Sequence, residues 1–348
     1  MAAGIQRRTR RSSLDKSLEE LASLVEAGGG IVAARVSQIL ARPSPTYVGA
    51  GKLLELARLV RERCLDLIVC DDELKPSQQR AIENALEIKV IDRTALILDI
   101  FATRAKTREG RLQVQLAQSE YLLPRLAGQW AHLERLGGGI GTRGPGEAQI
   151  ETDRRLVRRQ ITTIKKQLEQ VRLQRSQRRQ SRTKNEVLSV SLVGYTNAGK
   201  SALFNRLVRG DVTVRDQLFS TLDTTTRRLY LPSGGEATIN DTVGFVRKLP
   251  PILVAAFRAT LEELNHSDLL IHVVDTNNCE AREQIQVVDS VLSQIGLSSM
   301  PRILVFNKLD LLDDGVDIRD LYNASHSTIR EVRTSAKTGE GVEELRIA

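Results

Sequence analysis

The sequence predicts an α/β protein in three parts: a small parallel α/β domain, an antiparallel helical hairpin, and a C-terminal α/β domain with a mostly parallel sheet. Three observations carry this. Short apolar runs alternate with helical patterns from about Leu18 to Ala105, two apolar seams at helical spacing flank a Gly-rich stretch, and strand-helix alternation resumes after about Asn185. With 348 residues, 41% hydrophobic and 27% charged, the chain has the length and composition for two or three folded domains.

In the first part, IVAARV (31–36), LDLIVC (65–70) and IKVID (88–92) read as strands, separated by the helical patterns LLELARLVRERC and PSQQRAIENAL and followed by the apolar TALILDIF. The expected domain spans 17–105. Residues 1–16 read as a short basic leader with little room for an earlier strand. Asp71-Asp72-Glu73 suits a helix entry before Pro76 better than a metal site. Tyr47 to Lys52 is no phosphate loop, because Thr46 stands where its first glycine belongs and Leu53 replaces the Ser or Thr. His132, His266, His272 and His326 are scattered, and solvated or core roles are expected for each.

The hairpin is expected over 106–184. Leu112, Leu116, Leu123, Leu126, Trp130 and Leu133 recur at helical spacing, with Pro124 predicting a kink. Val157, Ile161, Ile164, Leu168 and Val171 step by four and three, a coiled-coil seam. Between them, Gly139 to Gly144 formally matches G-x-G-x-x-G, but helix and not strand precedes it, so a flexible tip carrying Arg143 is the expectation. Between Glu151 and Lys184 stand twelve Lys or Arg against three acids, in a chain whose net charge is +8, so one segment holds the whole positive excess. That points to a polyanion. Few aromatics, 3%, suit phosphate contacts on structured RNA better than base stacking, the alternative being a solvated coiled-coil face.

The third part, 185–348, carries nucleotide chemistry. Strand VLSVSLV leads into Gly194-Tyr195-Thr196-Asn197-Ala198-Gly199-Lys200-Ser201 and then a helix, the full G-x-x-x-x-G-K-[ST] pattern in its strand-loop-helix context. Backbone N–H groups and the helix N-terminus are expected to cradle the phosphates, Lys200 to reach the β- and γ-phosphates, and Ser201 to ligate Mg²⁺. Asp241-Thr242-Val243-Gly244 ends a strand, placing a carboxylate to hold Mg²⁺ through water and the Gly244 N–H toward the γ-phosphate. Asn307-Lys308-Leu309-Asp310 offers a carboxylate that accepts from guanine N1–H and its amine, a donor pair that adenine lacks. Thr334, Ser335, Ala336 and Lys337 suit a loop whose N–H meets guanine O6. GTP is therefore the expected nucleotide. The remaining Mg²⁺ ligand should come from Phe219-Ser220-Thr221-Leu222-Asp223-Thr224-Thr225-Thr226, where four threonines leave it open. Phe245 stands where Ras-like enzymes carry a water-orienting Gln, so slow turnover alone and stimulation by a partner are expected. Asn197 is a candidate for coordinating K⁺, against a plain loop-capping role.

GYTNAGKS, FSTLD, DTVGF, NKLD and TSAKTG are similar to the G motifs of the Obg/HflX group. Longer strings, TYVGAGKLLEL, CDDELKPSQQR, VIDRTALILDIFATRAKTREGRLQVQLAQSEYLLPRL and GGGIGTRGPGEAQIETDRR, resemble the HflX family of translation-associated GTPases from about Ser17 onward. The resemblance implies a Ras-like P-loop G domain and Thr221 as the metal ligand ahead of Thr225; the motifs themselves make Lys200, Gly244 and Asn197 the expected catalytic residues. The resemblance also implies binding of the large ribosomal subunit with the hairpin tip entering the peptidyl-transferase region, ribosome dissociation or rescue, and some use of ATP. Against the family pattern the start is short and the last helix is expected to be truncated at GVEELRIA. An RNA- or ribosome-binding module using GTP as a conformational ligand is the competing expectation. Three scattered cysteines and no apolar run near the roughly 20 residues a bilayer needs suggest a cytoplasmic protein, monomeric by default.

Overall fold

The structure, a computed structural model, describes residues 2–6, 11–40, 44–126, 145–183, 187–208, 218–219, 224–248, 250–256, 264–312 and 327–348. They group into two compact units, Met1–Thr103 with Arg111–Glu169 and Pro250–Leu253, and Arg104–Gly110 with Gln170–Leu249 and Val254–Ala348.

The first unit is built on β1 (Ala2–Gln6), α1 (Arg11–Ala27), β2 (Arg35–Ile39), α2 (Ala50–Glu62), β3 (Leu67–Cys70), α3 (Pro76–Leu86), β4 (Lys89–Asp92) and α4 (Arg93–Arg104). Its sheet runs β2-β1-β3-β4, parallel throughout. Two expectations are corrected. The stretch read as a leader contains strand β1, paired with β2 from Ala2↔Arg35 to Gln6↔Ile39, and the start of α1. The strand expected at 31–36 lies at Arg35–Ile39, and Ile31 is 90% exposed. The core joins Val36, Val48, Leu56, Ile68, Ile82 and Val90, alternate strand positions meeting the apolar stripes of α2 and α3.

A charged cluster lies at the carboxyl ends of β3 and β4. Arg93, 2% exposed, donates to Asp71 Oδ1 and Glu20 Oε2 at 2.7 Å each, and Ser17 Oγ donates to Asp71 Oδ2 at 2.6 Å. Burial alone disfavours the charged guanidinium, but Glu20 and Asp71 outweigh it and hold the proton more tightly than usual. Of the acidic run, Asp71 is thus the buried ion-pair partner of Arg93, while half-buried Asp72 accepts the Tyr47 hydroxyl at 3.0 Å and Glu73 is exposed. Arg93→Ala would remove the cation that neutralises Asp71 and Glu20 and cost about 3–5 kcal/mol. Accelerated hydrogen exchange at the amides of β3 and β4 is the expected readout; unchanged protection would show the pair to be dispensable.

Helices α5 (Arg108–Leu122) and α6 (Pro145–Thr183) follow. Leu112 and Leu116 bury against Ile164, with Ile161 and Leu168 packed on them, and Lys165 pairs with Glu120 at 2.7 Å. Pro124 falls in the turn after α5, so the helix ends there. Tyr121 and Arg125 tie this end to the sheet, donating to Asp92 Oδ1 at 2.9 Å and Oδ2 at 3.1 Å. The tip with Arg143, along with Trp130 and His132, lies outside the described residues.

The second unit carries β5 (Leu188–Gly194), α7 (Lys200–Val208), β6 (Thr225–Tyr230), β7 (Glu236–Asp241), the Val254–Ala256 part of α8 (Pro251–Ala256), β8 (Leu269–Asp275), α9 (Ala281–Gln294), β9 (Arg302–Asn307), β10 (Thr328–Arg333) and α10 (Val342–Ile347). The sheet runs β10-β9-β8-β5-β7-β6, parallel except for the β6-β7 pair. Ile271, Val273, Ile303 and Val305 face one core with Leu203, Phe204 and Leu207 of α7; Leu270, Val274, Leu304 and Phe306 face the other side with α9. This two-faced burial explains why the central strands read as continuous apolar runs. His272 is a core residue whose imidazole burial pushes down to about 3, so it stays neutral. Among the described residues no helix is long and apolar enough to cross a membrane.

Candidate functional site

The carboxyl edge of the second sheet gathers the motif residues. Gly194 ends β5 where a Cβ would lie 2.4 Å from the Val273 carbonyl oxygen, and at Gly199, φ +90°, one would lie 2.2 Å from Asn307 Nδ2. Both positions exclude any other residue. The loop then opens directly into α7, whose first residues are Lys200 and Ser201.

Lys200 is buried and donates from Nζ to the carbonyls of Gly194 at 3.1 Å and Tyr195 at 2.7 Å. Burial pushes its ammonium down to about 8, against the pull of Asp241. Ser201 Oγ donates to Asp241 Oδ2 at 2.7 Å, and Asp241 is 0% exposed. A hydroxyl and a carboxylate meeting here are hard oxygen donors that fit a hard divalent cation. Thr242 Oγ1 donates to the Leu192 carbonyl at 2.6 Å and Val243 is buried, which fixes the strand end that presents Asp241. Thr196 Oγ1 is buried with no hydrogen-bond partner among the described residues, a hydroxyl at the loop that fits an incoming phosphate oxygen. Asn197 sits exposed at the turn of the loop with φ +62°.

The segment after Asp241 is zipped to the phosphate loop. The Phe245 N–H donates to the Gly194 carbonyl at 3.1 Å and the Thr196 N–H to the Phe245 carbonyl at 2.7 Å. A Cβ on Gly244 would come within 2.8 Å of Lys200 Nζ and 2.9 Å of Thr196 Cα, so only glycine allows this approach. The Phe245 ring is buried with Val193, Leu264, Leu270, Val288 and Leu292, in the core and not in the site. The Tyr195 hydroxyl accepts the Arg247 N–H at 2.7 Å, and Arg247 pairs with Glu280 at 3.0 Å.

At the carboxyl end of β9, Asn307 is a structural bolt: Nδ2 donates to the Ala198 carbonyl at 2.9 Å and Oδ1 accepts the Ala336 N–H at 2.9 Å. Lys308 takes φ +68° and pairs with Asp275 at 2.8 Å, and Leu309 opens a short turn presenting Asp310. Asp310 Oδ1 accepts the Ser335 hydroxyl at 2.6 Å, with Lys337 Nζ 3.6 Å from Oδ2. The Ser335 bond is the main reason the carboxyl sits below the usual range, and it stays ionised.

Lys200, Ser201, Asp241 and Gly244 thus come together, and Asp310, Ser335, Ala336 and Lys337 form a second group joined to the phosphate loop through Asn307. Phe219 is buried with φ +57°; Ser220, Thr221, Leu222 and Asp223 lie outside the described residues. Thr225, the alternative ligand, begins β6 with its backbone paired to Asp241. Sequence reasoning missed the Tyr195 hydroxyl, the Arg247–Glu280 pair and Arg206, whose Nε donates to the Ala336 carbonyl at 2.9 Å. No local signal marks them, because each partner is remote in sequence.

Residues 15–102 match the family described as GTP-binding GTPase N-terminal, 104–182 the GTP-binding GTPase Middle Region, and 189–308 the 50S ribosome-binding GTPase. The chain is 50% identical over 330 residues to the GTPase HflX of Lacrimispora saccharolytica, covering 94% of this chain and 77% of that protein. It is 48% identical over 334 residues to the GTPase HflX of Escherichia coli, covering 95% and 77%. Among solved structures it is similar to the SsGBP and GDP complex, with 25% identity, a TM-score of 0.54 and coverage of 99% and 96%. A GTP-binding protein of Sulfolobus solfataricus solved with GDP, 24% identical with a TM-score of 0.50 and coverage of 99% and 96%, shares the fold. At such identity over nearly its whole length, this chain belongs to the HflX family of GTPases.

Proposed function

We propose that this GTPase binds the large ribosomal subunit through the basic face of α6 and the Gly-rich tip, and couples GTP binding and hydrolysis to ribosome dissociation or rescue. The observation that carries the reading is the exposure of Arg155, Arg158, Arg159, Lys165, Lys166 and Arg172 along α6. Arg158 lies 3.9 Å from Glu151 and Lys165 pairs with Glu120, and both cations stay at the surface in doing so. Six exposed cations on one helix are a footprint for phosphates.

In the site, the amides from Tyr195 to Gly199 and the N-terminus of α7 hold the phosphate chain, and Lys200 leaves its two carbonyl partners for the β- and γ-phosphate oxygens. Ser201 and, through water, Asp241 would hold Mg²⁺, with Thr221 as the further ligand. Bound Mg²⁺ neutralises charge on the β- and γ-phosphates. Gly244 would turn its N–H to the γ-phosphate. Asp310 selects guanine by accepting from N1–H and the amine, and the loop from Ser335 to Lys337 meets O6. Asn197 at the exposed turn supports a K⁺ site that supplies positive charge to the transition state. Phe245 offers no group to the attacking water. That favours a slow intrinsic rate raised by the subunit, and it is also the observation that favours the second reading, GTP as a conformational ligand with incidental hydrolysis. Secondary use of ATP, a cytoplasmic location and a monomeric state are further parts of the proposal.

Multiple-turnover GTP hydrolysis, in K⁺ and in Na⁺, with and without purified large subunits, tests it. Turnover should rise with the subunit and with K⁺; equal rates with and without the subunit would leave the second reading. Changing Arg154, Arg155, Arg158 and Arg159 to Gln should weaken subunit binding and lower the slope of log affinity against log salt by up to about four, one for each phosphate no longer neutralised. An unchanged slope would make these arginines a solvated face.

A further inference from the structure

We infer that Arg206 is a positioning residue for guanine, acting through the backbone of the loop that meets the base. The inference rests on the reading that Asp310 and Ser335 to Lys337 recognise guanine. Arg206 lies on α7, the helix that begins at the phosphate loop, with its neighbours Leu203 and Leu207 anchored in the core. Its guanidinium grips two successive carbonyls, Nε on Ala336 at 2.9 Å and Nη2 on Lys337. A planar fork on consecutive carbonyls fixes the plane of each peptide.

Those planes decide where the recognition groups point. In a trans peptide the C=O and the following N–H are antiparallel, so holding the Ala336 carbonyl aims the Lys337 N–H to the opposite side. Holding the Lys337 carbonyl likewise aims the Thr338 N–H, which donates to Ser335 Oγ at 3.1 Å. That hydroxyl in turn donates to Asp310 Oδ1 at 2.6 Å. One side chain therefore orients both an amide for O6 and, through Thr338 and Ser335, the carboxylate for the N1 and amine edge. Ala336 is held from its other end by Asn307, which also holds Ala198 of the phosphate loop. Asn307 and Arg206 together fix the distance between the phosphate-binding and base-binding halves of the site. Gly339, φ +97°, closes the turn with its N–H on the Ser335 carbonyl at 2.8 Å, and a Cβ there would lie 3.9 Å from Arg206 Nη1.

The test compares a ligand with the base and one without it on the full chain. Arg206→Ala should raise the Kd for GDP about tenfold, the weight of one hydrogen bond's worth of positioning, while the Kd for inorganic pyrophosphate stays unchanged. The KM for GTP should rise with kcat retained at saturation. Arg206→Lys, which offers a single ammonium in place of the fork, should recover part of the GDP affinity at an unchanged melting temperature, and it keeps the test open should the alanine variant fold poorly. Equal weakening of GDP and pyrophosphate would mean general loosening of the domain and would overturn the inference, as would an unaltered GDP affinity in both variants. Wild-type protein that binds GDP no more tightly than ADP would instead remove the guanine reading on which this one stands.

Discussion

Replacing Asp310 with asparagine is expected to lower the affinity for GDP and GTP about a thousandfold and to create binding of xanthosine nucleotides. In the proposed reading the carboxylate would accept two hydrogen bonds from guanine, each about 1.5–3 kcal/mol when one partner is charged. Asparagine keeps one acceptor for N1–H but turns a donor toward the guanine amine, so one bond is lost and two donors confront each other. Xanthine carries an oxygen at that position and restores the pair. The protein around Asp310 favours this outcome. Ser335 Oγ, 2.6 Å from Oδ1, is a hydroxyl that can rotate to suit either side chain. The carboxyl is held ionised by that bond and by Lys337, so guanine selection should not fade at mildly acidic pH. Calorimetry with GDP and the xanthosine diphosphate decides it: a variant that still prefers GDP would show that Asp310 does not read the base.

The nucleotide loop was legible in the sequence because its geometry is local. Gly194 and Gly199 are demanded by backbone approach and positive φ, and Lys200 and Ser201 by the first turn of the helix, so the motif and the structure state the same constraint. Asp241 was legible as the last residue of a strand and Asp310 as part of the turn that follows one. What escaped was set by remote partners. Strand β1, Ala-Ala-Gly-Ile-Gln, has almost no intrinsic strand preference and exists because β2 and β3 flank it, while the arginines that follow give the stretch the look of a leader. The run at 31–36 is apolar enough to suggest a strand, but pairing with β1 selects the register from Arg35 on. Asp71 finds its cation 22 residues away and Arg206 its carbonyls 130 residues away. On α6 Ile164 is buried and half-buried Ile161 and Leu168 pack against it, as the seam spacing predicts because period alone places them, while Val157 and Val171 are half-buried too.

Phe245 shows how sequence and structure divide the work, and it supports the other large prediction. The sequence says that the water-orienting Gln is missing; the structure says that the position could not use one. The backbone at 245 is zipped to Gly194 and Thr196, which turns the side chain into the core under β5 and β8, where it is 2% exposed. Phe245→Gln should therefore leave intrinsic GTP hydrolysis within about twofold of wild type, because an effect on the barrier needs a group in reach of the attacking water. It should instead destabilise the G domain by about 4–6 kcal/mol, combining the roughly 3–5 kcal/mol of a truncated core aromatic with the desolvation of an amide lacking partners. Phe245→Leu should cost far less and hydrolyse GTP at the same rate, and it keeps the comparison readable if the Gln variant unfolds. Chemical denaturation in the presence of saturating GDP and single-turnover hydrolysis together separate the two effects. A tenfold gain in hydrolysis by the Gln variant, with stability intact, would mean that the segment after Asp241 leaves its zipped position in the GTP-bound protein and carries residue 245 into the site.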